Sequence, residues 1–316
     1  MALEAEDVKI AFINIYQNKV FRGAETFVAE LSGRLAKKHD VDVLTSVDVI
    51  RIWKEKYDVI IPTNGRLQAF LIRLITWIYG GRVIISGQSG VGFDDRLNLY
   101  SFPDYFVALT EFQLLWARKI NPLIKIVKIP NGVNLNRFTF KGLPLQGRRT
   151  ILGVGAFTKE KRHDLTIKAE RKLKDVRLII VEDGGNMKQD IKTLGKRMLG
   201  DRFEILSVSH DKMPEIYEKA SVLSFPTVSW ESFGIAIVEA MASGLPVVAN
   251  NDPIRREIIG DAGILANPID TNSYAKAIEA ALNTNWGDKP RKQAGKFDWD
   301  IIARKYEGLL KDLYEK

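Results

Sequence analysis

Two glutamates stand eight positions apart in TVSWESFGIAIVEAMASGLPVVAN, residues 227–250: Glu231 before an apolar helical run and Glu239 inside it. Burying a carboxylate such as that of Glu239 without a partner costs several kcal/mol. It therefore has to meet a basic residue, a row of donors or a ligand. The paired hydroxyls of a ribose suit it, because each is a neutral donor to a carboxylate; a buried salt bridge or a snorkelling side chain is the structural alternative. Glu231 follows the strand-like run SVLSFPT, beyond the carboxyl end where doubly wound sheets bind ligands. Ser232, Phe233 and Gly234 form the turn into the helix, whose backbone N–H groups and dipole favour an anion or a sugar hydroxyl. Gly234 lets another group come close to the backbone, and Gly244 stops the helix.

Other chemistries find little support. The 316-residue chain has no cysteine, which excludes disulfides, thiolate metal sites and thiol nucleophiles. GVGAFT, residues 153–158, lacks the third glycine of a dinucleotide fingerprint, and GLPLQGRRT, residues 142–150, lacks the lysine of a P-loop and precedes a strand. The three histidines, His39, His163 and His210, are scattered, and the latter two read as loop residues. Asp94 and Asp95 in FDDR read as surface acids of a loop, so no metal site is expected. A net charge of +8 favours acidic partners such as nucleotides, nucleic acid or an anionic membrane face, or is simply a solvated surface rich in lysine. With no RNA or DNA motif behind the charge, a nucleic-acid partner is not expected.

The elements that position these residues alternate between strand-length apolar runs and amphipathic stretches. KIAFINI, VDVLT, YDVIIPT, RVIIS, YFVALT and IVKIP form one series; RTILGVGA, VRLIIVEDG, FEILSV, SVLSFPT, LPVVAN and AGILANP form another. Such alternation predicts an α/β fold with two mainly parallel, doubly wound sheets. KGLPLQGRR, residues 141–149, is polar, non-periodic and rich in Gly and Pro, as a linker is. The expected organisation is a first domain over 1–140, the linker, a second domain over 150–297 and a terminal helix over 298–316, with a ligand cleft between the domains. The acidic start MALEAEDVKIAF does not read as a secretion signal. LQAFLIRLITWIYGG, residues 67–81, is too short to span a bilayer. With Trp53, Trp77 and nearby arginines it either rests on a membrane or, as expected, packs as a core helix of the first sheet.

FPTVSWESFGIAIVEAMASGLPVVAN resembles the E-x7-E segment of retaining GT-B glycosyltransferases of the large family 4 type. RGAETFVAELSGRLAKKHDVDVLT, IPNGVNLNRF, ILGVGAFTKEKRHDLTIKA, DKMPEIYEKASVLSFPT and DPIRREIIGDAGILANPID extend the resemblance over most of the second domain and about half of the first. It implies two Rossmann-like domains facing a cleft, with the C-terminal helix packing back toward the first. It also implies transfer of a sugar from a nucleoside diphosphate to an acceptor hydroxyl, with retention and without a metal or cofactor. The donor would be a UDP- or GDP-sugar and the acceptor a glycan or lipid-linked hydroxyl. The expected place is the cytoplasm, with peripheral contact at the inner membrane face left open.

Position by position, the resemblance assigns Glu231 to the donor sugar, Glu239 to the ribose, the amides of Phe233 and Gly234 to the sugar, and Lys161 to the diphosphate. Gly23 matches the second glycine of the family's GGAE loop, and Arg22 replaces the first. The family's clamping arginine falls on Ala156, so Lys159 or Arg162 is the candidate replacement. The family's histidine after the fourth strand is also missing; GQSGVGFDD offers Gln88 or Ser89 instead. These departures keep a catalytically weak nucleotide-sugar scaffold, and more remotely a GT-B epimerase, as alternatives.

Overall fold

The computed structural model describes residues 7–17, 19, 23–63, 65–139, 149–182 and 184–314. Arg22 and positions 141–148 of the expected linker lie outside the described residues. Two compact units divide the chain, Met1–Gly132 with Trp299–Lys316 as unit 1 and Val133–Asp298 as unit 2.

Unit 1 is built on six parallel strands: β1 Lys9–Ile13, β2 Asp40–Leu44, β3 Val59–Pro62, β4 Arg82–Ser86, β5 Tyr105–Ala108 and β6 Lys125–Lys128, in the order β2-β1-β3-β4-β5-β6. Strands β3 and β5 are buried at every position, the pattern a parallel sheet requires when helices cover both faces. Successive side chains point to opposite faces, so Phe12, Val59, Ile61 and Val107 enter one core, while Ala11, Ile13, Ile60 and Phe106 enter the other. The C-terminal helix Trp299–Tyr314 closes the first of these cores. Its Trp299 and Tyr306 rings lie 6.2 and 5.9 Å from Phe27, and its acids Asp300 and Glu307 meet Arg34 and His39 at 2.6 and 3.0 Å. Buried rings of this size contribute about 1.5–3 kcal/mol each.

Unit 2 repeats the plan with β7 Thr150–Gly155, β8 Arg177–Glu182, β9 Phe203–Leu206, β10 Val222–Phe225, β11 Val247–Asn250 and β12 Gly263–Ala266, in the order β12-β11-β10-β7-β8-β9. All neighbours are parallel. The chain leaves β7 toward β8 on one side and later returns on the other through β10. The β7/β10 boundary is therefore the switch point, where the loops beyond the carboxyl ends diverge and leave a crevice.

Two expectations from sequence are corrected and a third is narrowed. The FDDR acids are not on a surface loop: the helix Phe93–Tyr100 holds both in its first turn, where its dipole favours negative charge. Asp95 is fully buried, and Asp94 makes a two-pronged pair with Arg66 at 2.8 and 2.7 Å. His163 begins the helix His163–Glu170 and is buried. The helix Leu67–Tyr79 is a core helix on one face only.

Candidate active site

The residues singled out in unit 2 lie on the two loops that diverge at the switch point. After β7, the chain turns through Thr158, whose carbonyl accepts from the Lys161 N–H at 3.3 Å. Gly155 ends the strand at φ 139°, and a Cβ there would stand 3.3 Å from Lys161 Cδ. Glycine thus lets the lysine stem lie against the strand end. Lys161 Nζ donates to Glu231 Oε2 at 2.9 Å and sits 5.5 Å from the centre of the Phe225 ring. Both members of the pair are part-exposed, so the bridge itself contributes modestly to stability and stays accessible to an incoming anion. The two loops are also joined by the Val228 N–H, which donates to Glu160 O at 3.0 Å.

Beneath Glu231 lies Arg255, at 0 % exposure. The helix Pro253–Ile259 presents it, capped by Asp252, whose Oδ1 accepts from the Arg255 N–H at 3.0 Å. Its guanidinium donates to Glu231 O at 3.0 Å, Thr227 Oγ1 at 2.6 Å and Val228 O at 2.5 Å. One side chain therefore holds three points of the loop that carries Glu231. Burial pushes the Arg255 pKa down while Asp252 and Glu231 pull it up, and the guanidinium stays charged.

The turn into the next helix is anchored from below. Phe233 is buried, 5.7 Å from Phe297, so only its backbone can face a ligand. Gly234 adopts φ 91° as the N-cap of the helix Ile235–Ala242, and a Cβ there would come within 3.0 Å of the Phe225 ring. Any other residue would be strained by the left-handed backbone and crowded by the ring.

Glu239 is 5 % exposed and has protein partners: Tyr217 donates its hydroxyl to Oε2 at 2.9 Å, and His210 Nε2 lies 3.2 Å from Oε1. Among the partners weighed from sequence, the structure supplies donors of its own. Burial, with the Glu239 charge alongside, pushes the Tyr217 pKa up, so the hydroxyl stays protonated and donating. His210 opens a short turn, His210–Lys212, and meets Glu239 directly, a role its scattered position did not suggest. Buried His163 donates its Nε2–H to Gly155 O at 3.1 Å, and burial pushes its pKa down to about 4. The imidazole is then neutral and holds the strand end that carries Lys161.

The other candidates are placed less centrally. Lys159 is exposed on the turn, and Arg162 takes the left-handed conformation before the helix His163–Glu170. In unit 1, Gly23 is the exposed first residue of the helix Gly23–Leu35. Gln88 is committed within the protein: its amide exchanges two 2.9 Å hydrogen bonds with Asn131 and donates to Ser86 Oγ at 2.9 Å. Ser89 is exposed beside it. Asp95 underlies the same loop, accepting from Asn98 at 3.1 Å and Gln113 at 2.9 Å, while Gln113 donates to Gly87 O at 2.8 Å. Among the described residues no group of three His, Cys, Asp or Glu side chains could hold a metal ion.

Sequence reasoning passed over Arg255, Tyr217, His210 and Asn131. Asn131 was within reach, since it stands in the quoted NGV segment. A buried arginine in DPIRRE looks like any surface arginine until a fold is known.

Comparison with known proteins completes the description. The structure resembles Anabaena HepE solved with UDP and glucose (TM-score 0.82, 17% identity, 96% of this chain and 100% of that one) and the sucrose-phosphate synthase of Thermosynechococcus elongatus (0.79, 18%, 98% and 99%). At such identities the likeness shows the fold, which is GT-B. In sequence the chain is 28% identical over 193 residues to the phosphatidyl-myo-inositol mannosyltransferase of Mycolicibacterium smegmatis, covering 56% of this chain and 49% of that protein. It is 30% identical over 229 residues to an exopolysaccharide phosphotransferase of Streptomyces coelicolor, covering 67% and 24%. The chain spans about half or less of the length of these relatives. Residues 136–297, nearly all of unit 2, match the family described as "Glycosyl transferases group 1", and the chain belongs to that family.

Proposed function

We propose that this chain moves a sugar from a nucleoside diphosphate sugar to an acceptor hydroxyl, with retention of configuration and without a metal. The observation that carries this reading is the Lys161–Glu231 pair, 2.9 Å across the switch point of unit 2, with the Glu231 loop held by Arg255. A nucleoside diphosphate is the ligand such a place suits: Lys161 and the amides of Phe233 and Gly234 take its phosphates and sugar, and Glu231 takes a sugar hydroxyl. Glu239 is held by Tyr217 and His210, yet each carboxylate oxygen accepts more than one hydrogen bond, so both can also receive a ribose hydroxyl. Lys159 and Arg162 supply further positive charge where Ala156 supplies none, and Gly23, with Arg22 before it, lets a phosphate approach the unit 1 backbone.

In the reaction, the bond from the anomeric carbon to the phosphate oxygen breaks and its electron pair goes to the diphosphate. The acceptor oxygen forms the new bond on the same face, and its proton passes to the departing phosphate. Negative charge grows on the leaving group, so fixed donors and Lys161 favour the transition state over the bound donor. Gln88 and Ser89 are assigned to the sugar or acceptor side. UDP- and GDP-sugars are the donors to try first, and glycan or lipid-linked hydroxyls the acceptors.

The test is release of nucleoside diphosphate from a panel of UDP- and GDP-sugars by the wild type, Glu231→Ala and Lys161→Ala. Release by the wild type that both substitutions abolish supports the assignment. Donor binding without turnover would instead favour a nucleotide-sugar scaffold, for which Ala156 and the Gln88–Asn131 amide pair speak.

A further inference from the structure

The helix Leu67–Tyr79 carries two apolar stripes. Ala69, Ile72 and Ile75 fill the core of unit 1. Leu67, Phe70, Leu71, Leu74, Trp77 and Ile78 recur every three or four residues on the other side, and that side is bare: Leu67 is 80 %, Trp77 76 % and Ile78 66 % exposed. The neighbouring helix Val49–Glu55 extends the surface with Ile50 and Trp53, the Trp53 ring standing edge-on to Tyr79 at 6.5 Å. Scattered exposed apolar side chains are ordinary, but a continuous ridge with two tryptophans marks an interaction surface.

Charge indicates what covers it. Lys54 and Lys56 follow Trp53 in the chain and are exposed, as are Arg51 and Arg66, the latter directly before Leu67. Arg51 pairs with Asp42 and Arg66 grips Asp94 by two prongs, so Lys54 and Lys56 are the cations of this set with most charge to offer a partner. A second copy of the chain docked ridge to ridge would bring these cations against their own equivalents. An anionic bilayer satisfies both parts at once, taking the apolar ridge into the boundary between headgroups and acyl chains and the cations at its charged surface. Tryptophan is suited to that boundary. The helix is 13 residues long, and no described helix is long and apolar enough to cross a membrane, so the contact lies along the surface.

We propose that the outer face of Leu67–Tyr79, with Trp53 and the adjoining cations, docks the protein peripherally on an anionic lipid bilayer. The inference stands on unit 1 alone and does not depend on the transfer reaction. Cosedimentation with vesicles needs no donor sugar, so its failure leaves the transferase reading untouched. Mixed phosphatidylcholine and phosphatidylglycerol vesicles should sediment the wild type, and phosphatidylcholine alone should sediment much less. The triple substitution Leu74→Ser, Trp77→Ser, Ile78→Ser should weaken binding about tenfold or more. The double substitution Lys54→Glu, Lys56→Glu should weaken it too and reduce its salt sensitivity. The triple variant changes only outward-facing residues, so its thermal midpoint should match the wild type and serves as the folding control. Wild-type protein left in the supernatant with anionic vesicles at low salt overturns the proposal. So does equal sedimentation of the triple variant, or a wild-type dimer that the triple variant breaks in the absence of any vesicle binding.

Discussion

Units 1 and 2 share one scaffold, six parallel strands with a switch point beside the first, yet they finish their strand ends with different chemistry. In unit 2 the loops after β7 and β10 bring a lysine to a glutamate, and the helix after β11 adds a buried arginine beneath them. In unit 1 the loop after β4, one strand from that unit's β1/β3 switch point, carries no such ion pair among the described residues: Gln88 is locked to Asn131, and Gln113 joins Gly87 to buried Asp95. The scaffold fixes where loops diverge, and the residues on those loops decide what can be done there. Fixed charges stabilise charge that appears during a reaction, whereas amides paired to one another hold a loop in place. Charge-dependent chemistry is therefore expected to depend on the loops of unit 2 more than on the β4 loop of unit 1.

The largest expected effect tests that division. Lys161→Ala should lower kcat for nucleoside diphosphate release by about 10²–10³-fold, with much smaller changes in thermal midpoint. Gln88→Ala should lower it by about tenfold or less, since it removes no charge. Equal losses in steady-state kinetics would break the comparison. Arg255→Met comes next. It strips donors from Thr227, Val228 and Glu231 at once and should destabilise unit 2 by about 3 kcal/mol, read from denaturant unfolding. Arg255→Lys keeps the charge but loses the fork, and should recover only part of the loss. A fully stable Arg255→Met protein would show that the Glu231 loop needs no clamp. Smaller again, Tyr217→Phe removes one donor from Glu239, about 1–2 kcal/mol, and should weaken nucleotide binding in calorimetry by up to about tenfold.

How much of this could be read from sequence differs between the units for the same physical reason. Strands buried on both faces are continuous apolar runs, so the alternating order was legible in both, and the C-terminal helix Trp299–Tyr314 stood out by its periodicity. In unit 2 the candidate residues follow strand ends in short connections, so Glu231, Gly234 and Glu239 announced themselves as a carboxylate, a turn glycine and a misplaced charge. Partners distant in sequence left no such sign: Tyr217 is 22 residues from Glu239, and Arg255 is 24 from Glu231. Asp95 misled for another reason. A charge next to a second charge reads as surface, but only one position of a helix turn need face outward, and here Asp94 does while Asp95 enters the core. Likewise Leu67–Tyr79 is apolar on two sides, which sequence reads as a core helix, although only the side of Ala69, Ile72 and Ile75 enters the core.

Buried titratable groups give the finest form of the comparison. Burial pushes Asp95 in unit 1 up to about 7, against the pull of its Asn98, Gln113 and Gly90 donors. An unfolded aspartate titrates near about 3.9, so between these values folded unit 1 holds a proton that the unfolded chain has released. Its contribution to stability is complete below about pH 4 and is lost as pH rises through 7. His163 in unit 2 runs the other way. Its pKa falls to about 4 on burial, against about 6.5 when unfolded, so its contribution is present above 6.5 and is lost as pH falls toward 4. Glu170, raised by burial to about 7 against the pull of Arg202, opposes His163 within unit 2, so whole-unit stability would blur the signal. Single substitutions separate them. Hydrogen exchange of unit 1 peptides in Asp95→Asn should lose the decline in protection between pH 4 and 7 that the wild type shows, while unit 2 peptides in His163→Gln should lose a rise over pH 4 to 6.5. If Asp95→Asn leaves the unit 1 slope unchanged, the acid is ionised throughout, and its three donors outweigh its burial.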